Sequence, residues 1–142
     1  MSSGNTYSRC LYQAVLVPRS EVKGFYIGMS RHFQRCAEKA VEGLVGVKVG
    51  TVTPKADYLH ITLLVPPQHV VSDVVSKIKM RIANMIYLSA IENGDLEEGK
   101  AFRAWCRGFY ITTDNRRDEQ EISRFVAKSL SEDAPRVRGE TE

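Results

Sequence analysis

The longest regular pattern in this sequence is a helical stripe in its second half. Apolar residues recur there at intervals of three and four, at Val71, Val74, Val75, Ile78, Ile82, Met85 and Ile86. This spacing places the residues along one face of an α-helix. Pro66 and Pro67 end the apolar run before the stripe, and Ser72 and Asp73 lie near its start, which favours a helix beginning here. The apolar face of this helix has to be buried against another element.

The segments around this helix alternate between strand and helix patterns. Strands are predicted over 11–17, 45–52, 58–65 and 104–113, helices over 25–44, 71–86 and 119–130, and a loop over 89–100. Ile27 and Phe33 belong to the inward stripe of the first helix. The order of elements predicts an α+β sandwich of the ferredoxin-like or RRM-like kind. It has a four-stranded antiparallel sheet, two long helices on one face and a C-terminal helix.

Length and composition exclude several classes of protein. The chain has 142 residues, of which 43% are hydrophobic and 26% charged, as is ordinary for one globular domain. We expect an N-terminal extension over 1–10, a folded domain over 11–130 and a charged, disordered tail over 131–142. No apolar run approaches the roughly 20 residues of a membrane span, and no signal-peptide pattern is present, so we expect no membrane partner and a prokaryotic cytoplasmic location.

The cysteines exclude further classes of protein, and the distribution of charge shows where the chain is basic. Three cysteines without a CxxC pair argue against a disulfide framework and a zinc finger. The net charge is +3, but the acidic residues concentrate in one loop and in the tail, so the folded remainder is more basic than the total implies. These acidic residues are Glu92, Asp95, Glu97 and Glu98, then Glu132, Asp133, Glu140 and Glu142.

Three ordered segments carry a resemblance to a known family. They are DYLHITLLVPP at 57–67, the helix bearing Lys79, and WCRGFYITT at 105–113. In order and spacing they are similar to the HUH-type, single-tyrosine transposases of single-strand insertion sequences, the insertion-sequence-200-like family. The likeness spans about Tyr12 to Leu130. It implies the sandwich fold, binding of hairpin or single-stranded DNA, and a homodimer whose final helix is exchanged between protomers.

The resemblance also implies a chemistry that this chain lacks in part. In the family, two histidines flanking one hydrophobic residue and a polar residue of the last helix bind Mg²⁺ or Mn²⁺, and a tyrosine of that helix attacks the phosphate. The histidine positions carry Tyr58 and His60 here, the nucleophile position carries Phe125, and the polar position carries Ser129. Phenylalanine has no attacking oxygen, and one imidazole with two hydroxyls is a poor site for a hard cation. We therefore expect no cofactor, with His60 as the one remaining metal-ligand candidate.

Other interpretations of these residues stay open. His60-Ile61-Thr62 could be the remnant of the metal pair in another register, which also leaves one histidine. His60 and Phe125 could simply be packed side chains, and Tyr58 could stack on a base. Tyr26 or Tyr110 could act as a displaced nucleophile.

The leading hypothesis is a catalytically inactive, DNA-binding protein of the transposase family. Its phosphate contacts are predicted at basic residues that could alternatively be solvated: Lys77, Lys79, Arg81, Arg107, Arg116 and Arg117. One alternative is an active metal-dependent transposase with a displaced nucleophile. The other is a structural or regulatory homodimer that binds no DNA.

Overall fold

The structure, a computed structural model, describes residues 11–99, 102–113 and 118–133. Strands and helices follow one another in the predicted order. They are β1 (Leu11–Leu16), α1 (Lys23–Met29), α2 (Phe33–Ala40), β2 (Lys48–Pro54), β3 (Leu59–Leu64), α3 (Val71–Glu92), β4 (Tyr110–Thr113) and α4 (Glu119–Asp133).

The four strands form one antiparallel sheet in the order β2-β3-β1-β4. β1 therefore has a strand on each side, with Val15 opposite His60 of β3 and Tyr110 of β4. This arrangement confirms the predicted α+β sandwich.

The larger core lies between the sheet and the helices α1, α2 and α3. Alternate strand residues, such as Leu16 of β1 and Ile61 of β3, point to this face and are fully buried. Ile78 and Ile82 of α3 pack against them, as the helical stripe predicts. Both helical regions therefore cover the same face of the sheet.

The opposite face of the sheet is covered by α4. Val15 and Val17, which alternate with the core residues of β1, form a smaller buried cluster with Ile122 and Val126 of α4. Cys106 completes this cluster. β1 is thus buried on both faces, and the final helix lies over it.

The helical region predicted over 25–44 is broken rather than continuous. A 3-10 segment, Ser30–His32, separates α1 from α2. The Ser30 hydroxyl donates a hydrogen bond to the Ile27 carbonyl oxygen at 3.0 Å, a side-chain bond that competes with the regular helical pattern. Because of this break, α1 does not bury the apolar residues that a continuous helix would bury. Ile27 is 65% exposed, and Tyr26 lies in the core instead.

The predicted boundaries of two helices were wrong. α3 continues through the first four residues of the predicted loop and ends at Glu92. It stops because Gly94 adopts a φ of 78°, with the amides of Gly94 and Asp95 bonding back to Ile91 and Ala90. α4 extends to Asp133, three residues into the predicted tail. The rest of that tail and the extension over 1–10 lie outside the described residues.

The strand predicted over 104–113 is shorter than expected. Only Tyr110–Thr113 pairs with β1, while Trp105 makes an isolated bridge to Pro18. Gly108, with a φ of 76°, turns the chain between these two parts. Across the part of the chain described, no helix is long and apolar enough to cross a membrane.

Candidate functional site

The sheet face beneath α4 carries the histidine that the sequence singles out. His60 lies on β3 directly opposite Val15, on the face away from the larger core. It is 5% exposed, and its Nε2 lies 2.5 Å from the Oε1 of Gln13, which is 3% exposed. One hydrogen bond joins these two atoms, and the tautomer of the ring and the orientation of the Gln13 amide set its direction. Gln13 is therefore the partner of this ring nitrogen.

Tyr58 and Phe125 lie on the same face, packed against the small apolar cluster under α4. The Phe125 ring lies against the Tyr110 ring, with centroids 5.9 Å apart and planes at 41°. The fold therefore brings the histidine-position and tyrosine-position residues to one face. Phe125 itself makes the contacts of a packing residue.

Two tyrosines could supply the oxygen that Phe125 lacks, and both are poor candidates for the ionised nucleophile. Tyr26 is 1% exposed, and burial raises the pKa of its phenol well above the usual range. The Tyr110 hydroxyl donates to Glu121 Oε1 at 2.6 Å, and this bond to a carboxylate raises the pKa of the Tyr110 phenol. A raised pKa keeps a phenol protonated and weakly nucleophilic.

Ser129 is buried one helical turn after Phe125 and lines a cavity at the end of α4. The cavity has a volume of about 440 Å³ and is otherwise lined by charged side chains. These are Arg19, Arg103, Arg107, Glu132 and Asp133. Three guanidinium groups around one concave site are suited to phosphate oxygens, which they bind in a bidentate manner.

The acidic side chains of this cavity offset part of its positive charge. Arg19 donates from Nε to Asp133 Oδ1 at 2.8 Å, and one of its terminal nitrogens forms an ion pair with Glu21 at 3.0 Å. The second oxygen, Asp133 Oδ2, is buried without a hydrogen-bond partner among the described residues. Asp133 is therefore held by one cation. Arg103 and Arg107 are exposed at the cavity and available to a ligand.

The residues in the family's metal positions do not fit Mg²⁺ or Mn²⁺. These ions take several oxygen donors, and the family supplies histidines as well. Here one His60 nitrogen is hydrogen-bonded to Gln13, and the other two positions are hydroxyls of Tyr58 and Ser129. Within the described ranges, no group of three His, Cys, Asp or Glu side chains is placed to hold an ion.

The basic residues predicted to contact DNA fall into two separate groups. Arg107 lies at the cavity beside α4, with Lys79 nearby. Arg81 lies on the other flank of α3, in a groove against α2, and Lys77 precedes it by one turn. Arg116 and Arg117 lie outside the described residues. The predicted set is therefore not one continuous patch.

Lys79 makes structural contacts. Its ammonium donates to the Cys106 and Gly108 carbonyl oxygens at 3.2 and 3.0 Å and lies 5.6 Å from the centre of the Phe109 ring. Partial burial lowers the pKa of Lys79. The Trp105 indole in turn donates to the Lys79 carbonyl oxygen at 2.8 Å. Lys79 thus fixes the turn that carries Arg107 into place.

Sequence reasoning did not single out Gln13 or Arg19. Gln13 was recognisable as the one polar residue inside the apolar run of β1, where a buried amide needs a partner. Arg19 gave no such signal, because its partner Asp133 is 114 positions away.

The protein is an α+β sandwich. Two buried polar side chains, Gln13 and His60, lie on adjacent strands under its last helix, and a cavity lined by arginines lies at the end of that helix. The sequence model of the family described as "Transposase IS200 like" matches residues 6–129. The chain therefore belongs to that family.

Individual proteins are similar to this chain in sequence or in fold. The chain is 28% identical over 133 residues to the transposases for insertion sequence element IS200 of Salmonella typhimurium and Salmonella typhi, a match covering 93% of this chain and 84% of each relative. A crystal structure of a candidate transposase from Deinococcus radiodurans R1 has a TM-score of 0.66 at 16% identity, covering 84% of this chain and 89% of that one. A REP-associated tyrosine transposase bound to a REP hairpin has a TM-score of 0.51 at 11% identity, covering 83% and 62%.

The contacts of Lys79 lead to a stability prediction. Replacing Lys79 with Met removes the donors to two carbonyl oxygens, and we expect the free energy of unfolding in urea to fall by about 1–3 kcal/mol. The control is Lys77→Met, an exposed position on the same helix, which we expect to change that free energy by less than about 0.5 kcal/mol. Equal effects of the two substitutions would contradict the structural role of Lys79.

Proposed function

We propose that this protein is a transposase-family DNA-binding protein that recognises a hairpin or single-stranded DNA without cutting it. The observation that carries the proposal is which side chains occupy the family's catalytic positions under α4. Phe125 occupies the nucleophile position, and His60 directs Nε2 to Gln13. Cleavage by the family's route needs an attacking oxygen and a cation that stabilises the phosphate charge. Neither is supported by the residues present.

DNA binding is supported by family membership and by the cavity at the end of α4. Arg103 and Arg107 are exposed there, beside Arg19. Guanidinium groups bind phosphates through paired hydrogen bonds, and they carry no base specificity when they do so. The hairpin in the REP-associated transposase structure belongs to that protein, and it suggests the class of DNA to test first. A prokaryotic cytoplasmic location stays a prediction.

The first test of the proposal is a search for cleavage. A labelled hairpin with single-stranded flanks is incubated with the protein and Mg²⁺ or Mn²⁺, and the products are separated on a denaturing gel. We expect retarded DNA on a native gel and no covalent protein–DNA adduct on the denaturing one.

The same assay distinguishes the alternative of a displaced nucleophile. An adduct that disappears in Tyr110→Phe or Tyr26→Phe would overturn the proposal and identify an active transposase. An adduct retained in both variants would also overturn it and place the nucleophile on another residue. Absence of retardation at low salt would instead favour the structural or regulatory homodimer.

The second prediction concerns the arginines of the cavity. Replacing Arg103 and Arg107 together with Ala should weaken DNA binding. The negative slope of log K against log salt should become shallower by about one to two, because the variant makes fewer phosphate contacts and its binding therefore releases fewer counterions. Fluorescence anisotropy between low and moderate salt measures both quantities.

The matched control for this pair is Lys48→Ala with Lys55→Ala. Both lysines are exposed at the β2 side of the sheet, and the double substitution removes the same net charge. We expect the salt slope of this control to equal that of the parent protein. An equal loss in both double variants would show that binding follows net charge and that the cavity is not the phosphate site.

A further inference from the structure

An ion pair joins the end of α4 to the segment that follows β1. The Nε of Arg19 donates to Asp133 Oδ1 at 2.8 Å, and both side chains line the cavity at the end of α4. The Asp133 side chain is 8% exposed and the Arg19 side chain 22%. Because little water reaches this pair, its charges are weakly screened. The Asp133 carboxylate therefore places a strong negative charge inside a cavity that three guanidinium groups line.

The ion pair satisfies only one of the two carboxylate oxygens. A carboxylate can accept two parallel hydrogen bonds from one arginine, whereas here Arg19 donates to Oδ1. The other oxygen, Asp133 Oδ2, is buried and has no hydrogen-bond partner in the part of the chain that the structure describes. A buried oxygen without a donor destabilises the arrangement that holds it. A ligand that bonds more completely to Arg19 can therefore displace Asp133.

A phosphate would bond more completely to the same arginines. Arg103 and Arg107 are exposed at the cavity, with Arg19 beside them. Guanidinium groups bind phosphate oxygens through paired hydrogen bonds, and a phosphate offers several such oxygens. A phosphate at this site would also face the Asp133 carboxylate as a like charge, and the two would repel each other. Phosphate and Asp133 therefore compete for Arg19.

Glu21, the second acidic partner of Arg19, differs from Asp133 in its exposure. It forms its ion pair with a terminal nitrogen of Arg19 at 3.0 Å, and its side chain is 60% exposed. Water screens such a pair, which contributes little. Glu21 is also not among the residues that line the cavity. The two carboxylates share one arginine, but only that of Asp133 lies inside the site.

We propose that Asp133 is an internal competitor for this phosphate site, and that its carboxylate holds Arg19 until a phosphate of the DNA takes its place. The inference rests on the proposed function and adds a regulation of the same site. Arg103 and Arg107 face the cavity before DNA binds, and Arg19 joins them when Asp133 is displaced. The affinity for DNA is therefore lower than three uncompeted guanidinium groups would give.

Removal of the carboxylate charge tests the inference. Asp133→Asn retains the shape of the side chain, and we expect it to tighten binding of the labelled hairpin by about tenfold, the effect of one charged hydrogen bond. The matched control, Glu21→Gln, removes the same charge from the exposed partner of Arg19 and should tighten binding by less than about threefold. Fluorescence anisotropy measures the affinities, and circular dichroism verifies that both variants are folded.

A purely structural role of Asp133 predicts a change in the opposite direction. Loss of the ion pair would then loosen the end of α4, and Asp133→Asn would bind the hairpin more weakly than the parent protein. That result would overturn the inference. Equal affinities of Asp133→Asn and the parent protein would also overturn it, as would equal gains in Asp133→Asn and Glu21→Gln.

NMR of the parent protein tests the same exchange without removing the carboxylate. The Arg19 Nε–H signal, assigned by its absence in Arg19→Lys, should move when the hairpin is added. It should reach the position that it has in DNA-bound Asp133→Asn, because phosphate is then the acceptor in both proteins. An Arg19 signal that keeps its original position in the DNA-bound parent protein would overturn the inference.

These outcomes distinguish the inference from the proposed function. Hairpin binding with no gain in Asp133→Asn overturns the inference alone and leaves DNA binding in place. Absence of hairpin binding by both the parent protein and Asp133→Asn overturns both. Binding that appears only in Asp133→Asn supports the inference, because the carboxylate then blocks the site completely.

Discussion

The burial of β1 on both faces is the constraint on which the rest of the structure depends. Pairing with β3 and β4 satisfies the backbone of β1 on both edges, so its side chains have to be covered above and below. The helices α1 to α3 cover Ala14 and Leu16, and α4 covers Val15 and Val17. The position of the final helix is therefore a consequence of the alternation in a single strand. The residues in the family's catalytic positions lie under that helix, and the arginine-lined cavity lies at its end.

A hydrogen-bonded pair of polar side chains, Gln13 of β1 and His60 of β3, lies at the centre of this site. Gln13 and His60 lie on adjacent strands, both almost completely buried, and each provides a hydrogen-bond partner that the other needs in a place with little access to water. A buried imidazole paired in this way is held in one orientation. The same pairing makes it a poor ligand. We propose that His60 has a packing role here and that the arginines at the end of α4 contact DNA.

Much of the fold could be predicted because its signals are local. The stripe of α3 and the alternation of strand and helix patterns around it predict the order of elements, and that order predicts the sandwich. The errors arose where a single residue overrides a pattern. Ser30 interrupts the first helical region and moves Ile27 to the surface, and Gly108 divides the last predicted strand. Such effects depend on side-chain hydrogen bonds and backbone angles that hydrophobic spacing does not record.

The site was predictable only in part, for a related reason. Tyr58, His60 and Phe125 come to one sheet face because strand alternation and helix spacing place them there. The partnership of Arg19 with Asp133 joins residues far apart in sequence, so no local pattern indicates it. Charge alone also grouped Arg81 with Arg107, although they lie on different flanks of α3.

The most direct test of the central claim is the state of the His60 imidazole in the folded protein. Long-range ¹H–¹⁵N NMR of the histidine rings, recorded during a titration with Mn²⁺, reports which nitrogen is protonated and whether a paramagnetic ion lies beside the ring. We predict that His60 Nε2 is protonated and that its signals stay sharp, at concentrations where an ion bound in the site would broaden them. Selective broadening of the His60 signals would show that the ring is a metal ligand and would contradict the account.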